Sequence, residues 1–213
     1  MIRLNRREFI KIIVASVVMG TLAKLFFRLP KESKVVRPPG AIVEEEFLNK
    51  CIRCGKCVAA CSTDGSGTLE TCGYLDGLSL VGTPKVNPIK APCEALFGKC
   101  EGVLPCVKAC PTKALVWVEP HQIKLGSVEW IKERCIAFRK GGCLVCYETC
   151  PVDGAISVKE IIVERHGKFI KVKVPEFNPD VCIGCGRCVN ACPAAPKALV
   201  LTSKGARRVI QRD

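Results

Sequence analysis

Aromatic residues and histidine are scarce in this chain of 213 residues. Aromatics make up 6% of the sequence, and histidine occurs twice, as His121 and His166. Neither histidine has a ligand-like spacing, and there is no Cys-x-x-Cys-His segment for c-type haem. The sequence also has no phosphate-binding loop, dinucleotide-binding glycine pattern or nucleophile elbow. These absences argue against haem, nucleotide and acyl-transfer chemistry, and they leave few large side chains with which to build a core.

Long hydrophobic runs are missing too, with one exception near the N-terminus. The run Ile12–Ala23 has twelve residues, fewer than the roughly 20 that a membrane-spanning helix needs. It follows the segment from Asn5 to Lys11, Asn-Arg-Arg-Glu-Phe-Ile-Lys, which resembles a twin-arginine export motif. Residues 1–29 are therefore predicted to be an export signal, removed or kept as an anchor, and residues 30–43 a linker. A basic amphipathic helix is the alternative.

Cysteine, in contrast, is abundant, with 17 residues. The clearest motif is Cys-Ile-Gly-Cys-Gly-Arg-Cys-Val-Asn-Ala-Cys-Pro, which runs from Cys182 through Cys185, Cys188 and Cys192 to Pro193. This C-x2-C-x2-C-x3-C-P spacing is that of bacterial ferredoxins, in which three cysteines ligate one [4Fe–4S] cluster and the fourth ligates the other cluster of a pair. A zinc ribbon and free thiols are the competing interpretations, but zinc sites use pairs of cysteines rather than this quartet.

Three further quartets precede this motif. The first has the same spacing, with Ser62 in place of the proline, whereas the second and third have longer intervals and keep the Cys-x3-Cys-Pro ending. The first comprises Cys51, Cys54, Cys57 and Cys61; the second Cys93, Cys100, Cys106 and Cys110; the third Cys135, Cys143, Cys146 and Cys150. The sixteen cysteines predict four [4Fe–4S] clusters. The remaining cysteine, Cys72, is predicted to be a small buried apolar residue.

The net charge of +13 would by itself suggest a nucleic acid or an anionic membrane as partner. Residues 1–29 carry +5 of this charge and the rest +8. An oxidised cluster with four thiolates carries about −2, so four clusters would bring the body close to neutrality. The basic residues are therefore interpreted as counter-charges for clusters.

Local patterns predict an α+β fold of short elements. The segment 44–50 is predicted to be a short helix, and residues 62–92 a long loop around Gly82-Thr83-Pro84. Gly167 is predicted to turn a β-hairpin between Ile161–Glu164 and the alternating stretch Phe169–Val174. Short helix, turn and β-ribbon form the ferredoxin repeat, here in four copies.

Several segments together carry a resemblance to one family. They are the twin-arginine leader, Glu-Glu-Glu-Phe-Leu at 44–48, Gly-Thr-Pro at 82–84, Pro92-Cys93 and Leu-Pro-Cys-Val-Lys-Ala-Cys-Pro at 104–111. With these the chain resembles the NapG/MauM ferredoxin-type proteins over nearly its whole length. The resemblance implies an electron carrier rather than an enzyme, located in the periplasm or on the outer face of the cytoplasmic membrane. It would take electrons from a membrane-bound quinol-oxidising iron–sulfur protein and pass them to a periplasmic reductase, as in nitrate-reductase-like systems, or to a cytochrome c.

The resemblance to four-cluster subunits also implies a nested pairing of the quartets, first with fourth and second with third. Cys192 would then complete the site of the first quartet and Cys61 that of the fourth; Cys150 would complete the second and Cys110 the third. The body would form two ferredoxin-like lobes, one of residues 44–92 and 176–213 and the other of residues 93–175.

Two other functions are compatible with the sequence. One is a permanent electron-transfer subunit of a molybdoenzyme or hydrogenase complex, which would purify together with a large catalytic subunit. The other is a zinc-bound nucleic-acid-binding module, which would be colourless and would bind DNA with a steep salt dependence.

Overall fold

The computed structural model describes residues 5–27, 35–165 and 167–210. The chain divides into two compact units, Met1–Glu32 and Ser33–Asp213, which are considered separately. The first unit contains helix α1 (Arg6–Phe27), which includes the predicted apolar run. Several of its apolar side chains are solvent-exposed, among them Ile10, Val14 and Met19. None of the helices in the described ranges is long and apolar enough to cross a membrane.

The second unit, the body, has an α+β fold of short elements, as predicted. Its helices are α2 (Glu44–Lys50), α3 (Lys56–Thr63), α4 (Pro105–Lys108), α5 (Ile136–Arg139), α6 (Val145–Glu148) and α7 (Arg187–Ala191). Its strands are β1 (Leu69–Thr71), β2 (Pro84–Val86), β3 (Ser127–Trp130), β4 (Ile156–Arg165), β5 (Lys168–Phe177) and β6 (Leu199–Thr202). Helix α2 confirms the helix predicted before the first quartet.

The strands in the described ranges form three two-stranded antiparallel ribbons. Strands β1 and β2 pair with Leu69 opposite Val86, and β3 and β6 pair with Ser127 opposite Thr202. The longest ribbon joins β4 and β5, ten residues each. The predicted hairpin is confirmed: Gly167 lies in its turn with a φ of 71°, a left-handed conformation that favours glycine.

The core of the body is built from small and aliphatic side chains together with cysteine. Ile42, Leu69, Leu104 and Val189 are almost fully buried, and Phe47 is a buried aromatic residue among them. Seven cysteines are buried as well: Cys61, Cys72, Cys100, Cys106, Cys135, Cys188 and Cys192. Several half-buried cysteines pack against this core. The thiols are therefore part of the interior, as the scarcity of large side chains indicated.

The prediction of a linker over residues 30–43 is wrong for residues 35–42, which are buried; residues 30–34 lie outside the described ranges. The segment is fixed at its end by backbone bridges, antiparallel from Ala41 to Leu115 and parallel from Ile42 to Val209. The proline pair at 38 and 39 therefore belongs to a buried, tightly packed segment.

A buried arginine explains why this segment is fixed. The side chain of Arg37 is 0% exposed, and its Nη1 donates to Thr83 Oγ1 and to the carbonyl O of Pro84, each at 2.8 Å. Its Nε and Nη2 donate to the carboxylate of Glu44, and the guanidinium carbon lies 4.7 Å from the ring centroid of Phe47. Arg37 thus joins its own segment to α2 and β2, and its charge is paired and hydrogen-bonded as a buried charge requires.

The region predicted as a long loop, residues 62–92, contains the β1–β2 ribbon and two short 3-10 turns. Three-residue strands are too short to show a period in the sequence, which is why the glycine-rich composition dominated the prediction. Cys72, at the end of β1, is buried against Val35 and Leu80. This confirms that Cys72 is a small buried residue.

Candidate metal centre

Each quartet places its last two cysteines one helical turn apart. Cys57 and Cys61 both lie on α3, and the other quartets have the same four-residue interval at α4, α6 and α7. Side chains four residues apart lie on the same face of a helix, displaced along its axis. Helix α3 packs against α4, and α6 packs against α7. Each helix can therefore direct one thiol to its own quartet and the next thiol to the neighbouring quartet.

The sixteen ligand candidates converge in four groups of four thiols, here called sets. Each set takes the number of the quartet that supplies its first three cysteines. Set 1 is Cys51, Cys54, Cys57 and Cys110; set 2 is Cys93, Cys100, Cys106 and Cys61; set 3 is Cys135, Cys143, Cys146 and Cys192; set 4 is Cys182, Cys185, Cys188 and Cys150. Sets 1 and 2 exchange their fourth cysteines and form the N-terminal pair. Sets 3 and 4 do the same and form the C-terminal pair.

Sets 1 and 3 each surround a cavity. The cavity of set 1 measures about 390 Å³ with its open mouth, and its walls include Phe47, Val58 and Leu115. The cavity of set 3 measures about 320 Å³, with Ile136 and Leu199 in its walls. Within the described ranges, no three cysteine, histidine or carboxylate side chains are arranged to hold a single metal ion. The thiols instead stand apart around a space lined by apolar side chains.

Sets 2 and 4 are identified by the mutual electrostatic influence of their thiols. In set 2, Cys93, Cys100 and Cys61 all lie close enough to affect the Cys106 thiol. In set 4, Cys185, Cys182 and Cys150 affect the Cys188 thiol in the same way.

The nested pairing of quartets, first with fourth and second with third, is therefore wrong. Cys192 lines the cavity of the third quartet rather than completing the first, and Cys110 completes the first rather than the third. The reason is that the short helices of consecutive quartets pack together, α3 on α4 and α6 on α7. The lobes assigned as residues 44–92 with 176–213, and 93–175, do not correspond to the groups of thiols that the structure brings together.

Backbone N–H groups point at several of the sulfur atoms. The amide of Leu115 donates to Cys110 Sγ at 3.5 Å, and the amides of Val58 and Ser66 donate to the Cys57 and Cys100 sulfurs. Such hydrogen bonds stabilise a thiolate and tune the potential of a cluster that it ligates. The glycines of the fourth quartet contribute to this geometry: Gly184 and Gly186 both have a φ of 74°, a left-handed conformation that glycine adopts in a tight turn without strain.

Burial holds Cys57, Cys93 and Cys146 in their protonated form when no metal neutralises them. Burial, followed by neighbouring thiolates, raises the pKa of Cys57 to about 11. Burial likewise raises the pKa of Cys93 and that of Cys146 to about 12. Four thiols at such a site become thiolates only when positive charge enters with them, as the iron of a cluster provides.

An unpartnered polar atom beside set 2 also fits a cluster. Ser66 Oγ is buried and has no hydrogen-bond partner in the part of the chain that the structure describes. It belongs to the residue whose amide donates to the Cys100 sulfur. A buried hydroxyl needs an acceptor, and a cluster sulfide or ligating thiolate at set 2 would supply one. Sequence patterns do not single out this serine, because it lies in a glycine-rich stretch outside every motif.

The raised pKa values predict that cluster loading depends on pH. Because burial raises the pKa of Cys57, Cys93 and Cys146 to about 11 or 12, these thiols are protonated well above pH 7 in the cluster-free protein, and each thiolate formed there on loading releases a proton. Reconstitution with ferrous iron and sulfide should therefore be more favourable at pH 8.5 than at pH 7, with proton uptake by the buffer. Anaerobic titrations followed by visible absorbance would measure this, with Cys72→Ala as the control that behaves like the unmodified chain. Loading that does not change with pH would contradict the assignment of the buried thiols as ligands.

Comparison with known families supports the same chemistry. Residues 134–195 match a family model described as a 4Fe-4S dicluster domain, and residues 48–64 match one described as a 4Fe-4S binding domain. The first match spans the third and fourth quartets together, in agreement with the C-terminal pair. No solved structure matches the chain.

Curated relatives cover most of the chain. The ferredoxin-type protein NapG of Escherichia coli is 36% identical over 197 residues, which is 88% of this chain and 81% of the relative. The methylamine utilization ferredoxin-type protein MauM of Paracoccus denitrificans is 33% identical over 188 residues, 86% of this chain and 75% of the relative. A more distant relative is the ferredoxin-type protein NapF of Escherichia coli, 25% identical over 173 residues, 79% of this chain and 86% of the relative.

The cysteine-rich α+β body and its matches to 4Fe-4S domains define an iron–sulfur electron carrier of the ferredoxin type, not a catalytic enzyme. Within this class, the chain belongs to the family of NapG and MauM ferredoxin-type proteins.

Proposed function

We propose that each of the four sets of cysteines holds one [4Fe–4S] cluster and that the protein passes single electrons among them. The observation that carries this proposal is the convergence of sixteen cysteines into four sets of four, each completed by the neighbouring quartet. A bound [4Fe–4S] cluster supplies reversible one-electron chemistry at a potential between about −700 and +450 mV. Two clusters in each pair give two ferredoxin-like lobes, one for the N-terminal pair and one for the C-terminal pair.

The protein's own residues have three roles at these sites. The thiols bind and position the irons, and the N–H donors to sulfur, such as those of Leu115 and Val58, set the potential. The apolar walls, with Phe47 and Leu199 among them, keep water away from the sulfur atoms. Such a carrier needs no general acid, general base or substrate pocket.

The proposed location is the periplasm or the outer face of the cytoplasmic membrane, reached by twin-arginine export. The segment from Asn5 to Lys11 and the apolar helix α1 support this location. A twin-arginine route would carry the body already folded around its clusters. The proposed donor is a membrane-bound quinol-oxidising iron–sulfur protein, and the proposed acceptor is a periplasmic reductase or a cytochrome c. The family of NapG and of the methylamine utilization protein MauM supports a place in such a chain.

Iron and acid-labile sulfide per chain, measured on anaerobically purified protein, test the proposal first. About sixteen irons are expected, with EPR signals of mutually coupled clusters after reduction with dithionite. About twelve irons would show that one set does not bind a cluster. Zinc without iron would contradict electron transfer and favour the nucleic-acid-binding alternative. Co-purification with a large catalytic subunit would instead indicate a permanent subunit of a molybdoenzyme or hydrogenase complex.

A further inference from the structure

The N-terminal and C-terminal pairs touch each other through ligand residues. The backbone amide of Cys93, in set 2, donates to the carbonyl O of Cys185, in set 4, at 2.8 Å. The Cys185 thiolate is also one of the charges that act on the Cys93 thiol. A ligand of one pair is thus hydrogen-bonded directly to a ligand of the other.

Two further contacts hold the same two loops together. Asn190 Nδ2 donates to the carbonyl oxygens of Pro88 and Ile89, at 3.0 and 3.1 Å. Gly186 faces Pro88 so closely that a Cβ at position 186 would lie 2.5 Å from the Pro88 Cβ. The loop before Cys93 and the ligand loop of the fourth quartet therefore form a close-packed junction, here called the 93–185 junction.

The two sets within each pair also lie beside each other. Cys57 of set 1 acts on the Cys106 thiol of set 2, and Cys146 of set 3 acts on the Cys188 thiol of set 4. In the described residues, the packing of α3 on α4 and of α6 on α7, these interactions between thiols, and the Cys93–Cys185 hydrogen bond thus link set 1 to set 2, set 2 to set 4, and set 4 to set 3. Set 1 also holds Cys54, the one exposed cysteine of the seventeen.

From these contacts we infer that the four sites form a single line in the order set 1, set 2, set 4, set 3, with electrons crossing between the pairs at the 93–185 junction. This inference rests on the proposed function, that each set holds a cluster. At the junction one electron is lost by the site of Cys93 and gained by the site of Cys185, or the reverse. No bond forms or breaks, and no proton moves.

The order has a physical basis in distance. Electron tunnelling weakens exponentially with the separation of the two centres, so the closest approach between the pairs dominates the rate. The hydrogen bond from the Cys93 N–H to the Cys185 carbonyl O joins two ligand residues directly. It gives an electron a short path between the two sites, made of covalent bonds and one hydrogen bond. Asn190 is then a positioning residue, because it holds the two loops at this separation without touching a cluster ligand's sulfur. Sets 1 and 3 are the ends of the line, where external partners exchange electrons.

The matched variants Asn190→Asp and Asn178→Asp test the inference in the full-length, cluster-loaded protein. Asn190→Asp removes the two N–H donors and places a carboxylate against the carbonyl oxygens of Pro88 and Ile89, which separates the two segments. Asn178→Asp keeps an oxygen that accepts from the amide of Asp180, as Asn178 Oδ1 does. It adds the same negative charge as Asn190→Asp, close to the ligand loop of the fourth quartet. Asn190→Ala, which lacks the added charge, serves as the second variant should Asn190→Asp not fold.

The readouts are iron content, hydrogen exchange at the Cys93 amide and magnetic coupling in the EPR spectrum of the reduced protein. Asn190→Asp should keep its iron, exchange the Cys93 amide faster and lose the coupling between the two pairs while the coupling within each pair remains. Asn178→Asp should match the unmodified protein in all three. Unchanged coupling in an Asn190 variant whose Cys93 amide exchanges faster would overturn the junction as the crossing point. An iron count clearly below about sixteen in the unmodified protein would instead contradict the proposed function itself.

Discussion

Replacing Cys110 by alanine is expected to remove or alter the cluster of set 1 while the clusters of sets 3 and 4 remain. Cys110 lines the same cavity as Cys51, Cys54 and Cys57, so its loss leaves that cluster with three thiolates. The matched variant Cys192→Ala should act on set 3 alone, because Cys192 lies with Cys135, Cys143 and Cys146. Each variant should lose up to about four irons per chain, or show the EPR signal of an oxidised [3Fe–4S] cluster.

Alkylation of free cysteines followed by mass spectrometry identifies which site has changed. Cys110→Ala should expose the thiols of the first quartet to alkylation, and Cys192→Ala those of the third. The nested pairing makes the opposite assignment, with Cys110→Ala affecting the third quartet and Cys192→Ala the first. Cys72→Ala is the control, since Cys72 belongs to none of the four sets and packs against Val35 and Leu80. It should keep full iron and an unchanged pattern of protection.

Replacing Arg37 by methionine is expected to lower the stability of the body by about 3 kcal/mol. The substitution removes the partner of the Glu44 carboxylate and leaves Thr83 and the carbonyl of Pro84 without their buried donor. Removing one member of a buried ion pair typically costs about 3–5 kcal/mol; because the Glu44 side chain is 27% exposed, the lower end of this range applies.

Anaerobic urea unfolding of the cluster-loaded protein, followed by circular dichroism, would measure the effect at equal iron content. The control is Lys159→Met, which breaks an ion pair with Glu176 whose side chains are 58% and 56% exposed. Pairs of this kind contribute between about 0 and 1 kcal/mol, so the control midpoint should stay close to that of the unmodified chain. Equal midpoints for the two variants would show that the Arg37 network does not stabilise the fold.

The parts of this molecule that could be predicted from sequence are those encoded within a few residues. The spacing of the fourth quartet predicts cluster ligands because three thiolates of one cluster come from one tight turn. Helix α2 and the hairpin at Gly167 are likewise local patterns, one of composition and one of period-2 alternation.

The partner of each quartet is a tertiary property, and spacing alone does not determine it. Cys192 follows Cys188 by about one helical turn. Which cavity the Cys192 thiol enters depends on the helix that packs against α7. The burial of residues 35–42 was missed for a related reason. Two prolines and an arginine are typical of a linker, and Arg37 becomes a core residue only because Glu44, Thr83 and Pro84 surround it.

The sequential pairing of the quartets also determines the order in which the sites can be completed during synthesis. All eight thiols of the N-terminal pair lie between Cys51 and Cys110, and all eight of the C-terminal pair lie between Cys135 and Cys192. Chains emerge from the ribosome N-terminus first at about 5–20 residues per second, and folding units form as they emerge. The N-terminal pair thus has every ligand it needs before the first ligand of the C-terminal pair has been translated. In the nested arrangement, two of the sites would have lacked a ligand until the last twenty-odd residues of the chain were being translated. A nascent chain halted after Cys110 already contains all eight thiols of the two sites proposed for the N-terminal pair.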